Sequence, residues 1–289
     1  MKLHVVEVQV AHSSGRHGPG LRRSPEWRAY RAAGAYGTTG DDTTYAQPTL
    51  EETELTADPV ADLAVLGARI AGAVAEGAAD GRRLLMVGGN CTSVPGMIGG
   101  MQLAWGPTTR IGLVWLDAHG DFNTPRTTTT GILGGMPVAV VAGLCLPVWR
   151  EGAGVVAPLP TDRIVMVDVR RLNPDEERLI EASEVSVVPI TGPALGVAVD
   201  RLASATDVLY LHIDLDLLDE TLVPSHLSRT PGGPDLGQAL AAVERVLATG
   251  KVGVLALVSV YSLEPRGEES LASAVALLKG SVERWRSVP

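Results

Sequence analysis

The apolar run Ile111-Gly112-Leu113-Val114-Trp115-Leu116 passes without a spacer into Asp117-Ala118-His119-Gly120-Asp121. A short run with no polar interruption reads as a strand buried on both faces, which requires a sheet with helices on either side. Alternate residues of an extended chain share a face, so Asp117, His119 and Asp121 are expected to point together from the strand's end. Burying such groups is expensive unless a cation pairs with them. The pattern recurs in Tyr210-Leu211-His212-Ile213-Asp214-Leu215-Asp216, another apolar strand ending in carboxylates. Two such clusters imply a two-metal hydrolytic site.

The rest of the chain supports that sheet. Strands are expected near 3–11, 84–87, 111–116, 163–169, 185–190, 208–215 and 252–260. Helices are expected near 58–79, 94–105, 134–144, 175–182, 194–203, 235–248 and 268–285. Strict alternation of continuous apolar strands with helices predicts an α/β fold with a mostly parallel sheet between two helical layers. No linker, low-complexity tract or repeat divides it, so residues 1–289 read as one domain. The Gly-, Ser- and Thr-rich segment 13–47 reads as a long loop with a short helix near 27–30, either surface or lid. In such sheets ligands bind beyond the carboxyl ends of the strands, where both acidic clusters lie.

Composition narrows the partners. The 289 residues are 45% apolar and 20% charged, as in a soluble globular protein. A formal charge of −9 argues against nucleic acid or an anionic membrane as partner. No apolar run is long enough to span a bilayer. The first eight residues carry a His and a Glu and read as a strand rather than a signal peptide. The two cysteines, Cys91 and Cys145, form no disulfide framework, which points to a reduced, cytoplasmic setting.

Carboxylates favour hard divalent ions and an imidazole moves the preference toward transition metals. Asp117, His119, Asp121, Asp214 and Asp216 therefore suit a pair of Mn²⁺ ions. For any one of these Asp residues, capping the turn after a strand is the plainer alternative.

Asp117-Ala118-His119-Gly120-Asp121 and His212-Ile213-Asp214-Leu215-Asp216 resemble the Asp-Ala-His-x-Asp and Ser-x-Asp-x-Asp signatures of the arginase/agmatinase (ureohydrolase) family. Gly88-Gly89-Asn90-Cys91-Thr92-Ser93 corresponds to that family's Gly-Gly-Asp-His-Ser, and the similarity runs in order along nearly the whole chain. The resemblance implies a three-layer α/β/α arginase-like fold, two Mn²⁺ ions, a small guanidino or amidino substrate and a homo-oligomer, trimer or hexamer. Carried over residue by residue, it places one metal on Cys91, Asp117, Asp121 and Asp214. The other falls on His119, Asp117, Asp214 and Asp216, and Asp121 also orients the attacking water.

The departures are as informative. Cys91 replaces a family His and Asn90 the Asp before it; exchanging Asp⁻ and neutral His for Asn and Cys⁻ leaves the local charge unchanged, and the alternative to a ligand thiolate is a buried inert Cys with only one metal bound. Gly134 stands where arginases have a proton-shuttling His. Ser262 stands where they have a Glu that pairs with the guanidinium; Glu264 lies two residues further on. Asn123, Thr128 and Thr130 match positions that bind the substrate carboxylate. Asn173 falls where an Asp meets the α-ammonium, and Thr230 matches a Thr near the guanidino group. Arg170 and Arg171 lie beside Asn173, either as solvated charges or as attractors of an acidic substrate. The proton for the leaving amine would come from Asp121 or water. His226, on an adjacent loop, is the candidate to replace the shuttle, against the plainer reading of a surface imidazole. His212, in place of the family Ser, reads equally as a partner behind the metal site or as a core residue.

Asn90-Cys91, His119-Gly120-Asp121-Phe122-Asn123-Thr124-Pro125 and Leu133-Gly134-Gly135-Met136 are similar to N-hydroxyarginine amidinohydrolases. The expected reaction is N-hydroxy-L-arginine to ornithine and hydroxyurea. Hydrolysis of arginine, agmatine, guanidinobutyrate or formimidoylglutamate is the alternative, and a non-catalytic metal-binding scaffold is the rival outside enzymes.

Overall fold

The computed structural model describes residues 1–13, 20–37, 42–261 and 265–288. It opens with β1 (Lys2–Val8), followed by an antiparallel pair, β2 (Val10–Ser13) and β3 (Gly20–Arg23). The remaining strands are β4 (Asp42–Ala46), β5 (Arg83–Gly88), β6 (Ile111–Leu116), β7 (Ile164–Val167), β8 (Ser186–Val188), β9 (Val208–Asp214) and β10 (Val252–Val258). One eight-stranded sheet has the order β4-β1-β5-β10-β9-β6-β7-β8, with every neighbouring pair parallel.

Side-chain parity along each strand builds two cores. In β6, Leu113 and Trp115 pack with residues of the helices Pro59–Ala79 and Val94–Trp105. Val114 and Leu116 face the opposite way, toward the helices Pro193–Ala205, Leu236–Leu247 and Gly267–Ser287. The uninterrupted apolar runs are thus explained by cover on both faces, and the three-layer α/β/α expectation holds. Fully burying each such side chain contributes about 1.5–3 kcal/mol, so the central strands are strongly held in place.

The differences from the expected elements have local causes. The first strand stops at Val8 because Gln9 leaves the ladder: its N–H donates to Pro48 O and its carbonyl accepts from Ser24 N–H. Among the described residues of segment 13–47, the short helix expected near 27–30 is present as Trp27–Ala32, and β3 and β4 are strands where a loop was expected. β4 is a partly exposed edge strand, Asp-Thr-Thr-Tyr-Ala, which needs no apolar run. The expected helix at 134–144 is a short turn, Leu133–Gly135, and a helix that starts at Pro137, where the missing N–H is harmless. The short helix Pro147–Gly152 was not foreseen.

Helix Val94–Trp105 approaches its neighbours through glycine. A Cβ on Gly99 would lie 2.0 Å from Ala153 O, and one on Gly100 2.7 Å from Ala71 O. Gly99→Ala should therefore destabilise the fold by about 1–3 kcal/mol through overpacking. Urea unfolding monitored by circular dichroism checks this, and an unchanged midpoint would contradict the close packing described.

Candidate metal centre

Four adjacent central strands, β5, β10, β9 and β6, bring Val87, Leu257, Ile213 and Leu116 level across the sheet. Every candidate donor on these strands follows within a few residues of that line. After β5 the chain turns through Gly88 and Gly89, with φ of 82° and 65°. A Cβ on Gly88 would stand 2.5 Å from Val8 O, so glycine is required by both strain and space. Cys91 then opens a short 3₁₀ turn capped by Asn90, whose side-chain oxygen accepts from Thr92 N–H at 3.2 Å. Asn90 thus shapes the turn, and its amide donates to His12 O at 3.3 Å.

Asp214 is the last residue of β9, and its Oδ1 accepts from Asp216 N–H at 2.9 Å, which tightens the turn that follows. On the β6 side the donors do not follow the alternation expected of an extended strand. The strand stops at Leu116, His119 N–H donates back to Asp117 Oδ1 at 2.7 Å, and Asp121 sits at φ 45°. A folded turn, not strand alternation, turns Asp117, His119 and Asp121 toward one pocket.

The ligand atoms fall into overlapping groups, each lying within 4.8 Å: Cys91, Asp117 and Asp121; Asp117, His119 and Asp216; Asp214, Asp216 and His226. Cys91 Sγ donates to Asp214 Oδ2 at 3.0 Å, and His119 Nδ1 lies 3.1 Å from Asp216 Oδ2. Cys91, Asp117, Asp121, Asp214, Asp216 and His226 are buried, and His119 is partly so. Burial, then the charges of Asp216 and Asp214, push Asp117 far above the carboxylate range. Burial likewise raises Asp121, and burial plus the carboxylates of Asp214, Asp121 and Asp117 raises the Cys91 thiol. For His119 burial pulls downward, but hydrogen bonds to Asp117 and Asp216 outweigh it and carry the imidazole up to about 12. Burial also opposes a charged Asp216, yet His119 and His226 hold it low. This much buried acid fits a divalent cation, whose charge removes the repulsion.

His226 is not a surface residue. It is 4% exposed, its Nε2 lies 3.5 Å from Asp214 Oδ1, and that nitrogen has no hydrogen-bond partner among the described residues. Ser228 N–H donates to His226 Nδ1 at 3.2 Å, which leaves Nε2 as the nitrogen that carries the ring's proton and faces Asp214. Ser228 Oγ also donates to Asp216 Oδ2 at 3.0 Å.

Around the cluster, Asn173 donates its amide to Asn123 Oδ1 at 2.8 Å, while its own carbonyl caps the helix Pro174–Glu181 by accepting from Asp175 and Glu176 N–H. That carbonyl, expected to receive an ammonium, is therefore already engaged. Thr128 is half-buried and Thr130 exposed on the loop after Asn123, and Thr230 Oγ1 donates to Ser228 O at 3.2 Å. Arg170 pairs with Asp168 and donates to the carbonyls of Asp216, Leu217 and Thr230, so it braces the loop. Arg171 is exposed. Gly134 has room: among the described residues a Cβ there would meet only Ile132 Cγ2, at 3.5 Å. Ser262 and Glu264 lie outside the described residues. Two polar residues near the site were not expected: Glu176, buried with Oε1 accepting from Phe122 N–H at 3.0 Å, whose Asp175-Glu176-Glu177 run reads as an ordinary acidic first turn of a helix, and Ser228, which stands in no pattern.

A model of the arginase family matches residues 5–280. The chain belongs to the arginase family. It is 34% identical over 161 residues to the N(omega)-hydroxy-L-arginine amidinohydrolase of Streptomyces lavendulae, covering 55% of this chain and 56% of that protein. It is 29% identical over 204 residues to the arginase of Neurospora crassa, covering 66% and 57%. The chain thus spans a little over half the length of these curated relatives. Arginase from Bacillus cereus shares the fold with a TM-score of 0.82 at 21% identity over 97% of this chain and 98% of that one. Formimidoylglutamase from Bacillus subtilis does so with a TM-score of 0.73 at 17% identity over 100% and 88%. No helix among the described residues is long and apolar enough to cross a membrane.

Because burial and mutual repulsion raise Cys91, Asp117 and Asp121, these groups hold their protons more tightly than they would in water. A cation must displace them, so its affinity should fall as pH falls, and binding should release protons. Calorimetric titration with Mn²⁺ in buffers of different ionisation enthalpy measures that release; binding with no proton release and no pH dependence would contradict the site.

Proposed function

We propose that residues 1–289 form one catalytic domain that hydrolyses a guanidino-type C–N bond, with N-hydroxy-L-arginine as substrate and ornithine and hydroxyurea as products. The observation that carries the reading is the convergence of Cys91, Asp117, His119, Asp121, Asp214 and Asp216 beyond the carboxyl ends of the central strands of an arginase-family chain. The similarity to a hydroxyarginine amidinohydrolase adds support.

Cys91, Asp117, Asp121 and Asp214 would hold one Mn²⁺, and His119, Asp117, Asp214 and Asp216 the other. When bound, the ions supply positive charge that lowers the pKa of water and polarises the carbon under attack. Asp121 accepts a hydrogen bond from the attacking water and orients it. His226 presents the Nε2 proton to the departing amine, filling the place left by Gly134. Asn123, Thr128 and Thr130 receive the substrate carboxylate, and Asn173 acts by fixing Asn123. Thr230 lies with Ser228 on the loop that faces the reacting group. With no His at Gly134, a strongly basic guanidinium lacks the family's shuttle and depends on His226 instead. An N-hydroxyguanidine needs one less, because its electron-withdrawing hydroxyl lets it be neutral near neutral pH. A reduced cytoplasmic setting suits Cys91, and the family resemblance suggests a homo-oligomer, trimer or hexamer.

Mn²⁺-loaded protein should release hydroxyurea from N-hydroxy-L-arginine faster than urea from arginine. Separate assays of hydroxyurea, urea and ammonia across arginine, agmatine, guanidinobutyrate and formimidoylglutamate decide the substrate. A preference for arginine removes the specific proposal, and no turnover of any of them favours a non-catalytic scaffold. Gly134→His should fit and raise the arginine rate relative to the N-hydroxyarginine rate.

His226→Asn should lower kcat by roughly 10²–10⁴-fold with metal content preserved, as expected for loss of a general acid. Unchanged kcat would reassign the ring to packing.

A further inference from the structure

Cys91 has an unusual neighbour behind it. Position 212 carries an imidazole where the resembling family has a serine, and this ring is completely buried. The sheet register sets His212 directly beside Trp115, and the two rings stack at a centroid separation of 4.1 Å with planes 3° apart. Tyr210, His212 and Asp214 share one face of β9 at successive alternate positions. Tyr210 Oη lies 2.8 Å from His212 Nδ1, and His212 Nε2 lies 3.6 Å from Cys91 Sγ. The imidazole is thus clamped between a phenol and a sulfur, with an indole covering its face.

The hydrogen positions follow from elimination. A neutral imidazole has one N–H and one lone pair, so two tautomers compete here. If Nδ1 bore the hydrogen, the Tyr210 hydroxyl hydrogen would have no acceptor among the described residues, and the Nε2 lone pair would face the sulfur. Only the other tautomer uses every buried polar hydrogen: Tyr210 O–H donates to Nδ1, and Nε2–H donates to Cys91 Sγ. Ser259 Oγ, 3.9 Å from the sulfur and at a residue held at φ 59°, is a second polar neighbour.

We propose that His212 is a positioning residue for Cys91, donating its Nε2–H to the metal-binding sulfur in a tautomer set by Tyr210. The inference rests on the reading of Cys91 as a metal ligand. It makes the two departures from the family pattern one device. A ligand imidazole needs an outer partner for its second nitrogen, whereas a thiolate in an apolar wall needs a donor against its free lone pairs. Replacing the strand serine by His212 supplies that donor at the site where the sulfur was introduced. The donor keeps negative charge on the sulfur and directs its remaining lone pair toward the cation.

Cobalt(II) substitution tests the inference without turnover. The wild-type protein should show a sulfur-to-cobalt charge-transfer band that Cys91→Ser abolishes. A hydrogen bond lowers the sulfur orbitals, so Tyr210→Phe and His212→Leu should move the band to longer wavelength. They should also weaken cobalt affinity about 10–100-fold, as loss of an outer partner does. His212→Gln, which returns an N–H near the same point, should restore most of the shift. A band that survives in Cys91→Ser overturns the ligand reading and this inference with it. A band lost in Cys91→Ser but unmoved in both Tyr210→Phe and His212→Leu overturns the inference alone. Tyr210→Phe removes a single oxygen and carries the test if His212→Leu does not fold.

Discussion

Like charge gathered in a dry place is the constraint on which this molecule is built. Asp117, Asp121, Asp214 and Asp216 are buried within reach of one another, with Cys91 among them. No apolar packing can offset so much acid, and the imidazoles of His119 and His226 answer only part of it. The fold must hold these groups rigidly enough that they cannot swing apart into water, and so ready a place for a cation. Strands enclosed on both faces do this. Their register sets Val87, Leu257, Ile213 and Leu116 on one line, so the turns that follow begin from a common, immobile edge.

Those turns convert a flat edge into a concave donor set. Each is shaped by a local interaction or a backbone angle: Asn90 capping the turn at Cys91, the left-handed Asp121, and Asp214 folding back on the Asp216 amide. Ser228 works similarly from the loop, bonding Asp216 with its hydroxyl and His226 with its backbone. Arg170, which in sequence resembles a candidate for binding an acid, spends its donors on Asp168 and the carbonyls beneath that loop. The site is therefore as much a matter of braced backbone as of ligand identity.

Much of the architecture was legible in the chain because burial on both faces leaves a plain signature. Helix Val94–Trp105 and strand Ile111–Leu116 fall at the expected residues. Segments held by edge pairing or by tertiary contacts were less readable. β4 is polar and pairs at one side only, and the helix Pro147–Gly152 is too short for a helical period to emerge. Within the site, Asp117, His119, Asp121, Asp214 and Asp216 stood out through their spacing, and Cys91 through its place in a resembling motif. Glu176 and Ser228 gave no such signal, since what brings them in is the path of a helix and a loop.

From the sequence alone follow a parallel sheet between helical layers and the types of donor at the ends of two of its strands. These depend on local chemistry, on the hydrophobic run and the acid that ends it. Only the tertiary structure decided that His226 is buried against Asp214, that Asn173 spends its carbonyl on a helix cap, and that His212 stands between Tyr210 and Cys91. The physical reason is that the direction and partners of a polar group are set by residues distant in the chain. A one-dimensional pattern carries hydrophobicity and period but not the angle at which strands meet.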